Sequence, residues 1–468
     1  MTNAPPKLPE GVTAPIPPAL LRLALPILAS YFLRLAYQWV DALWVRGLGV
    51  DATAAVTTSI FVMWWVYSMN DIFSIGVTAY VSQLLGAGDS RRAGLAAYKG
   101  IRASAALGLV GSAMGIFGAR AIFSMMSTEP GVVDQGERYL WIVLLGAPLP
   151  MTAYTCESIM RAAGNSRIPL IVDLTAVGLN AVVDPILIYG WGPIPAMGVA
   201  GAAWATVGAQ ATMVAGYAVV AWRRHPSFPV ARRAEGAPVR ILGMAKVGAP
   251  AATIGMLFSV VYVAFTRAAS QFGAAAVAIV GIANRVEALQ FVGAAAIGVA
   301  GGALVGQNIG AGRPERAVEV IRTGLVWTLW SAAILTVLVL AFPAFFLSLF
   351  TQDPEALRLG VPYLRIISGC FFFTGMELVT AESVLGSGHT ATISWIYTVF
   401  SLARIPLAFV APAWWGLGLN GIAWLITITC AARAILIVNW AARGTWKSGL
   451  RGELHGPEGP LPAPPEAT

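Results

Sequence analysis

The chain has 468 residues, of which 57% are apolar and only 11% charged, with a mean hydropathy of +0.72. That is more apolar surface than a water-soluble core of this length can bury, so a soluble globular fold is excluded. The net charge of +8 would suit a nucleic-acid partner, but the basic residues are placed for a different purpose, described below.

Residues 1–18 are Pro-rich and polar. They carry no cleavable signal and are expected to form a disordered tail that leads straight into the first span. Twelve apolar runs of membrane-crossing length follow, at 19–46, 54–85, 95–124, 138–163, 167–190, 197–222, 241–270, 275–308, 317–349, 358–386, 390–412 and 417–442. They are too long and too continuously apolar for barrel strands, which are short and alternate in polarity. Between the sixth and seventh runs lies RRHPSFPVARRAEGAPVR (223–240), which reads as a basic linker. The chain is therefore predicted to be an all-α polytopic membrane protein. Its parts are a tail (1–18), an N-lobe (19–222, helices 1–6), the linker (223–240), a C-lobe (241–442, helices 7–12) and a second tail (443–468).

The two lobes are copies of one another. YVSQLLGAGDSRRAG (80–94) returns 224 residues later as LVGQNIGAGRPERAV (304–318). The same offset carries Pro26 to Pro250, Gly100 to Gly324, Pro130 to Pro354, Tyr139 to Tyr363 and Gly164 to Gly388. A constant offset marks a duplicated fold. An even number of helices per half inserts both halves the same way up. This predicts two six-helix lobes related by a pseudo-two-fold along the membrane normal, with a substrate site between them near the midplane. If both termini share a side, that side holds 19 of the 30 Lys and Arg residues, from Lys7 to Arg451; the other side holds 6, and 5 fall inside spans. This bias places the termini in the cytoplasm and the protein in the inner cell membrane. Pro26 and Pro250 are expected to bend the first helix of each lobe. The paired QxxGAG segments are expected to end helices 2 and 8 with close backbone approach. Gly298, Gly302, Gly306 and Gly310 form a packing ladder.

The polar residues that fail to repeat carry the functional signal. Asp41 maps onto Phe265, Asn180 onto Arg404 and Asp184 onto Ala408, so the chemistry is placed in the N-lobe. Eight acids fall inside predicted spans: Asp41, Asp71, Glu157, Asp173, Asp184, Glu287, Glu377 and Glu382. Such acids are costly in a bilayer and functional by default. Arg34, Tyr37, Asp41 and Trp44 share one face of helix 1, and Asp173, Val177, Asn180 and Asp184 share one face of helix 5. Asn180 and Asp184 are one turn apart, so their oxygens can converge on one proton or one ion. Pro185 follows at once and makes the backbone there irregular. A carboxyl buried among apolar groups can hold a proton, and the same oxygens can instead serve a Na⁺ site. The structural alternative for these acids is an ion pair with Arg34. Glu157 and Glu382 occupy near-equivalent positions, which suits a structural role. Arg285 and Glu287 are expected to pair with each other or across the lobe interface. Tyr37, Trp44, Asp71 and Glu377 are the candidate substrate contacts, with aromatic faces suited to flat cations.

Other chemistries lack their residues. There is no GxxxxGK[ST] for nucleotide phosphates, no HExxH, and His225, His389 and His455 stand apart in loops or tails. Cys156, Cys370 and Cys430 lie singly in predicted helices and read as small core residues. No cofactor is expected, an enzyme is poorly supported, and nothing marks a separate dimerisation face, so a monomer among membrane lipids is expected.

LPILASYFLRLAYQWVDALWVRGLG (25–49), SQLLGAGD (82–89), GLNAVVDPILIYGWGPIPAMGVAGAAWAT (178–206), VGQNIGAGRPERA (305–317) and ARIPLAF (403–409) together resemble the multidrug and toxic compound extrusion (MATE) family of antiporters. The likeness extends over the whole chain except its tails. Helix 7 (241–270) holds no acid, which resembles the branch typified by the DNA-damage-inducible F protein rather than the norfloxacin-resistance branch. The resemblance implies rocker-switch export of amphipathic, mostly cationic compounds in exchange for H⁺, with Na⁺ possible. It assigns ion coupling to Asp41, Asn180 and Asp184, joined by Thr206 of helix 6. A lipid or lipid-linked oligosaccharide flippase of the same superfamily is the competing reading. Eight intramembrane acids against five arginines favour cationic cargo over anionic headgroups.

Overall fold

The computed structural model describes residues 8–126, 129–236 and 238–455. In chain order the N-lobe comprises α1 (Glu10–Thr13), α2 (Ile16–Arg46), α3 (Val50–Gly86), α4 (Ser90–Met126), α5 (Pro130–Leu145), α6 (Pro148–Ala162), α7 (Arg167–Tyr189) and α8 (Val199–Trp222). The C-lobe comprises α9 (Ile241–Ala269), α10 (Ala274–Gly310), α11 (Pro314–Ala341), α12 (Pro343–Ser348), α13 (Pro354–Ser368), α14 (Cys370–Leu385), α15 (Ala391–Trp414), α16 (Leu419–Ala442) and α17 (Arg451–His455). Counting α5 with α6 and α13 with α14 as single crossings gives twelve membrane-length spans, six per lobe.

Several expectations need correction. The apolar runs at 138–163 and 358–386 are not single helices. The first breaks at Gly146–Ala147 before Pro148 and bends by 49°, and the second breaks at Gly369 and bends by 43°. The run at 317–349 also divides, because Pro343 ends one helix and begins another. The tail expected over 1–18 already forms α1, and α2 starts at Ile16; Lys7 and residues 1–6 lie outside the described residues. The C-terminal tail folds too: a 3-10 turn (Thr445–Ser448) and α17 lie against the body, while residues 456–468 lie outside the described residues. The linker packs along the N-lobe, where Ala231 N–H donates to the Gly94 carbonyl at 3.0 Å and Lys99 Nζ to the Val239 carbonyl at 2.7 Å.

The duplication extends to individual hydrogen bonds. Pro26 and Pro250 lie inside α2 and α9, where each lacks the N–H of a regular helix. In the N-lobe, Ser166 Oγ donates to the freed turn, at 2.9 Å to the Leu23 carbonyl. In the C-lobe the repeat partner Thr390 donates to the Val247 carbonyl, the repeat partner of Leu23. The QxxGAG segments end α3 and α10 in one way. Asp89 N–H reaches back to the Leu84 carbonyl at 2.8 Å and Arg313 N–H to the Asn308 carbonyl at 2.8 Å, with Gly88 and Gly312 at φ +80° and +72°. This is a helix stop that needs glycine at the left-handed position.

The two lobes meet along a seam that runs toward the face carrying both chain ends. A Cβ on Gly86 would strike the Gln307 carbonyl, and a Cβ on Gly310 would strike the Gln83 carbonyl, so α3 and α10 cross backbone to backbone. Gly76 lies in the same way on Met244, Gly248 on Asp71 and Ile72, and Gly255 on Ser68. Two cross-lobe hydrogen bonds complete the seam and are exact repeats of each other. Gln83 Nε2 donates to the Gly386 carbonyl at 3.0 Å, and Gln307 Nε2 donates to the Ala162 carbonyl at 2.8 Å. The Gly298–Gly310 ladder packs on Glu382 and Gly386 of the α14 end and on Ser82 and Gln83 of α3.

Candidate functional site

Three helices of the N-lobe bring the non-repeating polar residues together. Tyr37 and Asp41 come from α2, one turn apart. Asn180 and Asp184 come from α7, also one turn apart, and Thr206 comes from α8. Asp184 is 0% exposed, Asn180 1%, Thr206 7% and Asp41 8%, which puts all four out of reach of bulk solvent. Asn180 Nδ2 donates to Asp184 Oδ1 at 3.4 Å, and the Asp41 carboxyl is a near neighbour of the Asp184 carboxyl. Thr206 Oγ1 donates to the Ala202 carbonyl at 3.0 Å, so the Tyr37 hydroxyl at 3.1 Å is its donor. Tyr139 of α5 lies close to Thr206 and Asp41.

Three buried side-chain oxygens in this pocket have no hydrogen-bond partner: Asp41 Oδ1, Asn180 Oδ1 and Asp184 Oδ2. Buried oxygens are normally satisfied, and several unsatisfied ones facing one spot suit a proton or a hard cation. Among the described residues, no group of three or more His, Cys, Asp or Glu has the arrangement of a metal centre. An ion held here would therefore rely on amide and hydroxyl oxygens as well as the two carboxylates.

The alternative ion pair between Arg34 and these acids does not form. Arg34 instead bonds Glu157 at 2.7 Å and Asp173 at 3.1 Å, and its guanidinium lies 4.9 Å over the Tyr154 ring. Arg161 pairs with Glu157 as well. This closed network balances two positive charges with two negative ones and leaves Asp41 and Asp184 without a cation. Glu157 is thus part of a buried ion network joining α2, α6 and α7 rather than a plain helix-end bond.

The four candidate substrate contacts scatter. Tyr37 belongs to the acid pocket through Thr206. Trp44 is 36% exposed, and its carbonyl accepts from Tyr189. Asp71 sits on the lobe seam opposite Gly248, with Ser74 donating to it at 3.3 Å. Glu377 is buried and fully engaged by Arg433, which grips it through Nε at 2.6 Å and through Nη2. It therefore offers no free carboxylate to a substrate. Arg285 and Glu287 do not pair: Arg285 lies 5.3 Å over the Phe350 ring, while Glu287 accepts from Thr374 at 3.4 Å.

The sequence reading missed two features. Tyr139 joins the pocket, and its only advance signal was the Tyr139/Tyr363 repeat. The C-lobe also carries its own buried polar cluster at the equivalent place. There Arg404 replaces Asn180 and Ile426 replaces Thr206, one turn before Cys430, and Arg404 Nη2 lies 3.0 Å from Cys430 Sγ and its Nε 2.7 Å from Thr429 Oγ1.

The MatE family model matches residues 26–186 and 250–410, two stretches separated by the same 224 residues as the internal repeat. The chain is 27% identical over 447 residues to a probable multidrug resistance protein NorM of Thermotoga maritima, covering 94% of this chain and 95% of that one. It is 24% identical over 424 residues to an FAD transporter of Shewanella oneidensis, covering 89% and 92%. Among solved structures, a MOP superfamily transporter from Pyrococcus furiosus superposes with a TM-score of 0.85 at 21% identity, covering 93% of this chain and 97% of that one. A MATE structure in the straight conformation superposes with a TM-score of 0.86, also at 21% identity and with 93% and 97% covered.

Proposed function

The chain belongs to the MatE family of multi-pass membrane transporters, and on that footing we propose that it exports amphipathic, mostly cationic compounds in exchange for H⁺. The observation that carries this reading is the Asp41–Asp184 contact. Two neighbouring buried carboxyl groups are stable together only when at least one holds a proton, since two like charges repel strongly in an apolar site. Loss of that proton would drive α2 and α7 apart. Both helices contain a proline, Pro26 in α2 and Pro185 in α7, so both can bend without breaking a regular hydrogen-bond ladder. The pocket is therefore built to convert a protonation change into a change of helix packing.

In this reading the described state has its seam closed at the cytoplasmic face, where both termini lie, and its Asp41–Asp184 pair already holds at least one proton. Protonation of Asp41 and Asp184 bends α2, displaces the cation from the N-lobe and lets the lobes rock to the opposite access state. Na⁺ is the alternative coupling ion, since Asn180 and Thr206 add neutral oxygens to the two carboxylates. The absence of any acid in α9 supports the DNA-damage-inducible F branch.

The test uses the protein in Na⁺-free proteoliposomes with an imposed pH gradient and an ethidium-like cation. Gradient-driven transport that falls at least tenfold in Asp41→Asn and Asp184→Asn supports proton coupling through this pocket. Transport that requires added Na⁺ makes the same pocket a sodium site. Full transport in the Asp41→Asn, Asp184→Asn double variant overturns the assignment.

A further inference from the structure

The segment after the last span is built into the lobe seam. Gly444–Ser448 turns back under α16, with Trp446 only 2% exposed and its Nε1 donating to the Ala441 carbonyl at 2.7 Å. The chain then crosses to the other lobe at Gly449. Its φ is +58°, and a Cβ there would meet Ile309 of one lobe and Gln83 of the other. Beyond the crossing the side-chain hydrogen bonds run to the N-lobe, while Leu450 also lies on Gly388 and Glu453 beside Gly243 of the C-lobe. Leu450 N–H donates to Gln83 Oε1 at 2.9 Å, Arg92 Nη2 donates to the Leu454 carbonyl at 2.6 Å, and the Tyr80 hydroxyl donates to Glu453. Leu450 and Leu454 are buried beside Val77, Tyr80 and Leu84 of α3.

The other end of the chain does the reverse. Residues 11–14 lead into the N-lobe but are held by the C-lobe: Asn308 Nδ2 bonds the Gly11 carbonyl at 3.0 Å, Arg313 Nη1 the Val12 carbonyl at 3.2 Å and Arg316 Nη2 the Ala14 carbonyl at 2.6 Å. Arg92 and Arg316 are repeat partners. Each holds a backbone carbonyl of a terminal segment that belongs to the opposite lobe.

We propose that residues 444–455 form a strap across the lobe seam, which must detach before the lobes separate at this face and which thereby sets the balance between the two access states. It rests on the rocking of the lobes proposed above. Gln83 makes the coupling concrete, because one amide both clamps Gly386 across the seam and receives the strap at Leu450. Opening the seam and releasing the strap therefore break bonds to the same side chain.

The experiment measures the distance between spin labels at Arg91→Cys and Glu315→Cys in nanodiscs. These are exposed repeat partners on either side of the seam, and Cys156, Cys370 and Cys430 are replaced by Ala in the background. Three chains are compared: full length, a truncation after Arg443, and full length with Arg92→Met, which loosens the strap without deleting it. In the full chain a single short distance is expected at rest. The truncation is expected to raise a second, longer distance to at least roughly one-tenth of the molecules, and Arg92→Met to raise it less. Distributions that are identical in all three chains, while substrate or a pH change opens the seam of each to the same degree, overturn the strap. A seam that opens in no chain under any condition overturns the rocking reading instead. If the truncated chain does not fold, Arg92→Met alone decides the matter.

Discussion

The equivalent pockets of the two lobes have the same helices around them and opposite contents. In the N-lobe the pocket holds Asp41, Asn180, Asp184 and Thr206, with three oxygens unsatisfied. In the C-lobe the same positions hold Phe265, Arg404, Ala408 and Ile426, and the polar groups around them have partners: Arg433 pairs with Glu377, Arg404 bonds Thr429 and Cys430, and Glu287 accepts from Thr374. Both lobes contain buried arginines and acids, so burial of charge does not by itself mark the working site. What differs is whether the charge is already satisfied. A satisfied buried pair holds helices together. Unsatisfied acids with no nearby cation are free to change protonation.

This difference can be broken deliberately. The largest effect is expected from Arg433→Met, which strands Glu377 in an apolar core. Removing one partner of a buried pair costs about 3–5 kcal/mol, to be read as a large drop in thermal stability and membrane yield. Adding Glu377→Gln should recover most of the loss. Asp41→Asn should leave the melting temperature unchanged or raised while abolishing gradient-driven transport, because Asp41 has no cation to strand. If Asp41→Asn destabilises the protein as Arg433→Met does, the two pockets are not different in kind.

The next effect in size tests the crossing of α3 and α10. Gly86→Ala and Gly310→Ala each push a methyl into a carbonyl of the opposite helix, and overpacking of this sort costs about 1–3 kcal/mol. Because the two contacts repeat each other, the two variants should lower stability and shift the access equilibrium by similar amounts. The glutamine clamps should be less equal. Loss of a buried hydrogen bond costs about 0.5–1.5 kcal/mol, and Gln83→Ala loses two such bonds, to Gly386 and Leu450, whereas Gln307→Ala loses one to Ala162. Cysteine accessibility at the seam should rise more in Gln83→Ala than in Gln307→Ala.

Much of this architecture was legible in the sequence because membrane helices announce themselves by run length and duplication by a constant offset. The acid pocket was legible for the same reason: Asp41, Asn180 and Asp184 stand out against a repeat that lacks them. The partner of Glu377 was not legible. Glu377 looked free because its partner Arg433 is 56 residues away in sequence and on another helix, and spacing along one helix cannot reveal a bond between two. The bends at Gly146 and Gly369 stayed hidden because hydropathy does not change across them. The strap was invisible because residues 443–455 are too polar and too short to register as a packed element, and only the fold brings Leu450 and Leu454 against α3.

The smallest expected effect concerns the two bent helices. Ser166 and Thr390 bond the Leu23 and Val247 carbonyls in the turns preceding Pro26 and Pro250, and these hydrogen bonds repeat each other almost atom for atom. Ser166→Ala and Thr390→Val should each cost about 1 kcal/mol, so stability alone will not tell them apart. Their functional effects should differ. α2 carries Asp41 and must bend if protonation moves it, whereas α9 carries no acid. Loosening the cap on α2 should therefore change the pH dependence of transport, and loosening the cap on α9 should not. An equal change in both variants would mean that the two prolines bend their helices alike and that the N-lobe pocket does not act through α2.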